Sequence, residues 1–200
     1  CALPISNMEK KTKNIHSLHE LIRSRWSTRS FSDKPIELTK LNSIMEAARW
    51  APSAYNEQPW RFIVGEKGTE VYNHILESLV EWNQLWAVNA PVLVLNIAKQ
   101  LFTHNNTPND TYKYDLGQAV AFMIIEAMNQ GVVSHQMSGF DSDMAEKSLN
   151  ISQGYHAVSV TAFGYQGHKD MLTEDFAQLE LKPRERKNFD TIVIRGKFND

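Results

Sequence analysis

"APSAYNEQPWRF", residues 51–62, separates a stretch with helical periodicity from one with strand character. It carries two prolines, a serine, an asparagine, a glutamine and three aromatic residues. Pro52 and Pro59 restrict the backbone at both ends. Between them, the amides of Asn56 and Gln58 can each donate and accept hydrogen bonds. Such a loop suits the edge of a flat heterocycle with alternating N–H, C=O and ring nitrogen. Trp60 is read as the core anchor of the strand that follows.

Upstream, "LTKLNSIMEAARW" (38–50) places Leu41, Ile44, Met45 and Ala48 at helical spacing, with Thr39 as the expected N-cap and Pro52 as the stop. "IHSLHELIRSR" (15–25) reads as an earlier helix with Ile15, Leu18 and Ile22 on one face. Downstream, "WRFIV" (60–64) is a strand. "EVYNHILESLVEWNQLWAVN" (70–89) reads as one helix with Val71, Ile75, Leu79 and Trp82 along a side. "PVLVLNIA" (91–98) is apolar throughout, as in a strand buried on both faces. "LFTHNNTPND" (101–110) is a polar loop, a candidate mobile lid. "DLGQAVAFMIIEAMNQG" (115–131) predicts the central helix, ended by Gly131, with Phe122 among the apolar residues of its further faces. "VVSHQM" and "YHAVSVTAFGYQG" read as strands. "DSDMAEKSL" and "TEDFAQLEL" read as short helices, and the tail 182–198 is basic first and apolar later. Helices and single strands alternate irregularly, which predicts an α+β or α/β fold.

Two hundred residues suit one domain, and 42% hydrophobic with 22% charged residues predicts a packed core. Twenty-one basic against 23 acidic side chains argue against a nucleic-acid coat or an anionic-membrane binder. No apolar run reaches membrane-spanning length. One cysteine, Cys1, allows neither an internal disulfide nor a cysteine metal site. The histidines, from His16 to His168, show no zinc spacing, so no metal is expected. Residues 1–14 are expected to be a disordered tail or a cloning remnant, with a processed lipoprotein beginning at Cys1 as the alternative. Residues 15–200 are expected to form a single domain.

Phosphate loops of the Walker type, G-x-G-x-x-G and G-x-S-x-G are all absent. What the chain offers instead is arginine. "RSRWSTRSF" spaces Arg25, Ser27 and Arg29 two apart, and the tail repeats the alternation with Arg184 and Arg186. Guanidinium forks and a hydroxyl bind phosphate dianions through short charge-assisted bonds. Solvated surface arginines, or cations placed to suit a helix dipole, are the alternative for each cluster.

In order and spacing, "RSRWSTRSF", "AARWAPSAYNEQPWRFIV", "NQLWAVNAPVLVLNI", "DLGQAVAFMIIEAMNQGVVSHQMSGFD", "YHAVSVTAFGYQG" and "RERK" resemble the FMN-dependent nitroreductase family over roughly residues 15–195. The resemblance implies a nitroreductase-like α+β fold, with a central, mainly antiparallel sheet flanked by helices, in an intertwined homodimer. It implies that FMN carries the chemistry, so no acid–base triad is expected. Arg25, Ser27 and Arg29 would bind the FMN phosphate and ribityl chain, with Arg29 near flavin N1 and O2. Trp26 stands where the family usually has arginine or histidine. Pro52, Ser53, Ala54 and Asn56 would reach the flavin of the other subunit. Asn83 would bond the pyrimidine edge, and Trp86 replaces a common lysine. Ser138 and Gly139 match the stretch whose backbone N–H faces flavin N5, and Arg184 and Arg186 match the C-terminal phosphate ligands.

The implied activity is two-electron, ping-pong reduction of a small-molecule acceptor, such as a nitroaromatic or quinone, by NADH or NADPH in the cytoplasm. A non-catalytic flavin-binding module is one alternative. Another is a same-fold enzyme of dehalogenation or flavin fragmentation.

Overall fold

The computed structural model of the protein describes residues 10–198. Strand β2, Val92–Lys99, has seven of its eight residues buried, so both of its faces are covered. Val92, Val94 and Ala98 enter one apolar core, while Leu93, Leu95 and Ile97 enter the other. That period-2 split explains the unbroken apolar run. The neighbours of β2 are antiparallel: β1 (Trp60–Glu66) on one side and β4 (Tyr155–Gly164) on the other. β3 (Val133–Met137) pairs antiparallel with β4 at the edge, giving the order β1-β2-β4-β3. The fold is α+β, an antiparallel sheet flanked by helices, as expected.

One core lies under α2 (Leu38–Arg49) and α5 (Tyr112–Asn129), which buries Leu116, Ala119, Val120, Met123 and Ala127. Trp60 is buried there, as the loop reading required. Past α5, the Gly131 N–H bonds Met128 O and the Val132 N–H bonds Ala127 O. Gly131 itself has φ +73°, the left-handed stop a glycine admits. The second core takes Tyr72 and Ile75 of α3 (Glu70–Ser78), Trp86 of α4 (Glu81–Ala87), Ala145 of α6 (Ser142–Ser148) and Phe176 of α7 (Glu174–Leu181). The tail ends in α8, Phe189–Ile192.

Five local expectations are corrected. The first helix, α1, covers only Glu20–Ser24, and Ile15, Leu18 and Ile22 are exposed. With that stripe unburied, nothing offsets the cost of nucleating a longer helix. The second helix begins at Leu38, one residue before Thr39, with Glu37 at the cap position and no side-chain cap bond. Residues 70–89 form two helices rather than one. Leu79 and Val80 are extended because tertiary bonds outcompete the helical ones: Val80 N–H to Gly139 O (3.0 Å) and Asp141 N–H to Ser78 O (2.7 Å). Phe122 of α5 is exposed. The 101–110 segment is a hydrogen-bonded hairpin rather than an open loop, with Leu101 bridged to Pro108 and the Phe102 N–H bonded to Thr107 O.

Residues 1–9 of the expected tail lie outside the described residues, whereas Lys10 and Thr12 are hydrogen-bonded to Lys182 and Arg23.

Candidate functional site

Residues 25–31 run extended along the open edge of the sheet. Ser27 bridges Ser134 in parallel, and Phe31 bridges Gln166. The Gly167 N–H bonds Ser30 O at 2.9 Å. A Cβ on Gly167 would sit 2.7 Å from the Phe31 carbonyl carbon, so only glycine permits this approach. Extended backbone alternates its side chains. Trp26, Thr28 and Ser30 are buried, and Arg25, Ser27 and Arg29 face the other way.

The buried side is tied down by one carboxylate. Glu180, in the last turn of α7, is 1% exposed. Its Oε1 accepts from the Thr28 hydroxyl (2.5 Å), the Arg29 N–H (2.9 Å) and the Ser30 N–H (3.3 Å). Gln166 Nε2 adds a bond to the Thr28 hydroxyl.

Beside this segment a cavity of about 210 Å³ opens. Arg25, Trp26, Ser27, Arg29, Arg184 and Arg186 all line it, so the two arginine clusters meet at one cavity. Lys10, Lys182 and Glu180 complete the charged wall. Sequence reading missed Lys10 and Glu180. Lys10 belongs to a lysine-rich stretch and Glu180 to an ordinary helix, and neither carries a local signal.

The electrostatics are one-sided. Among the described residues, none of these four arginines forms an ion pair with a carboxylate. Burial, then Arg186, lowers the pKa of Arg25. Burial, then Arg25 and Arg186, lowers that of Arg184. Arg29 Nε and Glu180 Oε2 are buried without a hydrogen-bond partner. Arg25 spends one bond on the Ser27 hydroxyl (3.3 Å), and Arg184 Nη1 donates to Lys10 O and Arg23 O, both at 2.8 Å. Crowded, desolvated guanidiniums with unspent donors and an adjacent hydroxyl fit a phosphate dianion.

From this cavity the sheet edge leads along β3 to Ser138 and Gly139. Gly139 O accepts from the Val80 N–H and from Asn83 Nδ2, each at 3.0 Å. A Cβ on Gly139 would lie 2.9 Å from that Asn83 nitrogen. Trp86 is fully buried, 4.5 Å from the His135 ring and 6.2 Å from Phe31, with the Arg29 guanidinium 6.0 Å from its ring. It is therefore core and supplies no charge. His135 Nδ1 donates to Thr28 O at 2.9 Å, and burial, with Arg29 and Arg25 nearby, pushes its pKa down to about 4.

Pro52, Ser53, Ala54 and Asn56 do not line the cavity of their own chain. Their loop is held at the start of α5, where the Ala54 N–H bonds Asp115 Oδ2 (3.1 Å), and the Gln58 N–H bonds Ser53 Oγ (3.0 Å). Tyr55, Asn56 and Gln58 all have φ near +50°, a strained choice for non-glycine residues. The Glu57 carboxylate accepts from the Thr103 N–H (2.9 Å), fastening the 101–110 hairpin to the loop.

Among the described residues no cluster of acids, histidines or cysteines could hold a metal, and no helix is long and apolar enough to cross a membrane.

Comparison with known proteins gives one answer. A solved structure described as an oxidoreductase containing FMN superposes with a TM-score of 0.89 at 31% identity, covering 98% of this chain and 99% of that one. A Desulfovibrio desulfuricans protein solved in complex with FMN, and provisionally described as a nitroreductase, shares the fold, with a TM-score of 0.72 at 18% identity over 90% of this chain and 96% of that one. An Archaeoglobus fulgidus protein, provisionally named NADH dehydrogenase/NAD(P)H nitroreductase, is 28% identical over 78% of this chain and 90% of its own length. The model of the Nitroreductase family matches residues 22–165, from α1 to the end of β4, and the chain belongs to that family.

Proposed function

We propose that this chain is an FMN-dependent oxidoreductase that takes two electrons from NADH or NADPH and delivers them to a small-molecule acceptor such as a nitroaromatic or a quinone. One observation carries the reading: arginines from residues 25–29 and 184–186 converge with Ser27 on a single cavity whose wall holds six cationic residues and one carboxylate. A phosphate monoester brings a charge of about −2 to that excess. The relatives' names supply the donor, NAD(P)H, and the FMN-containing neighbours supply the ring.

FMN supplies the electron transfer when bound. The residues bind and orient. Arg25, Arg184, Arg186 and Ser27 hold the phosphate. Arg29 sets a positive charge toward the ring edge that becomes electron-rich on reduction. Asn83, its Nδ2 spent on Gly139 O, would have its side-chain oxygen left to accept from a ring N–H. Ser138 and Gly139 would face the ring, and Trp26 walls the cavity.

A second copy of the chain supplies Pro52, Ser53, Ala54 and Asn56, which makes the working unit a homodimer. The exposed apolar residues of the terminal segments, among them Ile15, Ile192, Ile194 and Phe198, support this. Donor and acceptor would use the same site in turn, hence ping-pong kinetics. A cytoplasmic location belongs to the same reading, as does the absence of nucleic-acid and membrane partners.

The test is a visible spectrum of protein incubated with FMN and desalted, before and after anaerobic NADH. The expected result is a retained flavin band, bleached by NADH and restored by a quinone or nitroaromatic. No retained flavin refutes the reading. A retained band that NADH and NADPH both leave unbleached reduces the protein to a flavin-binding module.

A further inference from the structure

We infer that Lys10 is an additional ligand of the anion site, carried there by an N-terminal strap, and that its ammonium contacts the phosphate of a bound cofactor. The inference rests on the FMN reading above.

The strap is built into the site. Arg184 Nη1 bonds both Lys10 O and Arg23 O at 2.8 Å, and the Thr12 N–H bonds Arg23 O at 3.1 Å. One guanidinium thus ties residues 10–12, the end of α1 and the C-terminal segment into one wall. Lys10 Nζ donates to Lys182 O at 2.9 Å and stands 4.4 Å from the Trp26 ring centroid. Both neighbours line the same cavity as Lys10.

An ammonium has three donors, and one is spent on that carbonyl, so two remain. A lysine with no task extends its charge into water. Lys10 instead stays in a half-buried position where burial, Arg29 and Arg184 all disfavour its charge and Glu180 opposes them. An anion in the cavity reverses that balance for Lys10 and for the arginines together. Lys13, three residues on, is exposed and does not line the cavity.

The experiment is a fluorescence titration of the cofactor-stripped full chain with FMN and, separately, with riboflavin, which has the same ring and ribityl chain without the phosphate. Lys10→Met should raise the FMN Kd by roughly tenfold or more, as loss of a charge-assisted bond implies. Its riboflavin Kd should stay within about twofold of wild type. Lys10→Arg should recover most of the FMN loss. Lys13→Met, which removes the same net charge elsewhere, should change neither constant. Should wild type bind FMN while Lys10→Met leaves its Kd unchanged, or weakens riboflavin equally, the inference falls and the functional reading stands. A wild-type chain that does not bind FMN overturns both.

Discussion

Removing Arg25 should weaken cofactor binding without weakening the fold. Arg25 makes one internal side-chain bond, 3.3 Å to the Ser27 hydroxyl, and no ion pair among the described residues. Its guanidinium is partly desolvated and faces Arg184 and Arg186. In the empty protein it therefore contributes repulsion rather than cohesion. Against a phosphate, its remaining N–H groups can form a two-pronged contact. Two charge-assisted bonds at about 1.5–3 kcal/mol each, combined less than additively, amount to roughly 2–4 kcal/mol. That is a rise in FMN Kd of about 30- to 1,000-fold for Arg25→Met, which keeps most of the aliphatic stem. The apo melting temperature should equal or exceed that of wild type, because a mutual repulsion is relieved. Fluorescence titration and a thermal melt of the stripped protein read the two quantities. If the apo melting temperature falls by several degrees while the FMN Kd stays within about threefold, Arg25 is a structural residue and the cavity is not a phosphate site.

Arg184→Met should behave differently, lowering both FMN affinity and apo stability, because its guanidinium also holds Lys10 O and Arg23 O; a variant that loses affinity alone contradicts that strut. His135 is neutral in the fold, with a pKa of about 4 against 6.5 unfolded, so its contribution is complete above pH 6.5 and is lost as pH falls toward 4. Denaturant midpoints should record a loss of about 3 kcal/mol over that window, and His135→Asn should flatten it. Tyr72, 2% exposed, donates to Ala90 O at 2.8 Å, and burial pushes its pKa up to about 12. Tyr72→Phe should cost about 1–2 kcal/mol by denaturant titration, and an unchanged midpoint would remove that bond from the account. Gly139→Ala should displace Asn83 and weaken riboflavin and FMN equally, since it acts at the ring end; a loss confined to FMN would misplace the ring.

The residues that alternate or repeat locally were legible. Leu41, Ile44 and Ala48 announced α2, and the apolar run 91–98 announced β2. The antiparallel pairing of β2 followed only from the family resemblance, because a strand buried on both faces looks the same in either sheet type. The break at Leu79 was not legible, since it depends on Gly139 and Asp141, some 60 residues away. At the site, the two-residue spacing of Arg25, Ser27 and Arg29 allowed them to converge on an extended or turning backbone. Their meeting with Arg184 and Arg186 followed only from family resemblance. Glu180 escaped notice because its role depends on Thr28 and Ser30, 150 residues earlier, and on burial that no local pattern encodes.

Glu180 also explains how a cavity so rich in like charge holds together. Six cationic side chains around one void repel one another, and solvent screens them only in part. A carboxylate in the open cavity would compete with an incoming anion. Glu180 belongs to the cavity wall but is only 1% exposed, spending Oε1 on backbone and hydroxyl donors of the 25–30 segment and pairing with no guanidinium among the described residues. It offsets part of the positive field and fixes the segment's alternation, yet leaves the arginine donors unspent. Glu180→Gln separates the two roles, because its side-chain oxygen can still accept at Thr28, Arg29 and Ser30. If geometry is what matters, the amide should keep FMN affinity or raise it, one negative charge having been removed from behind a dianion site. Glu180→Ala should weaken FMN and riboflavin together by freeing the segment. Equal losses in both variants would mean that the charge itself holds the cradle.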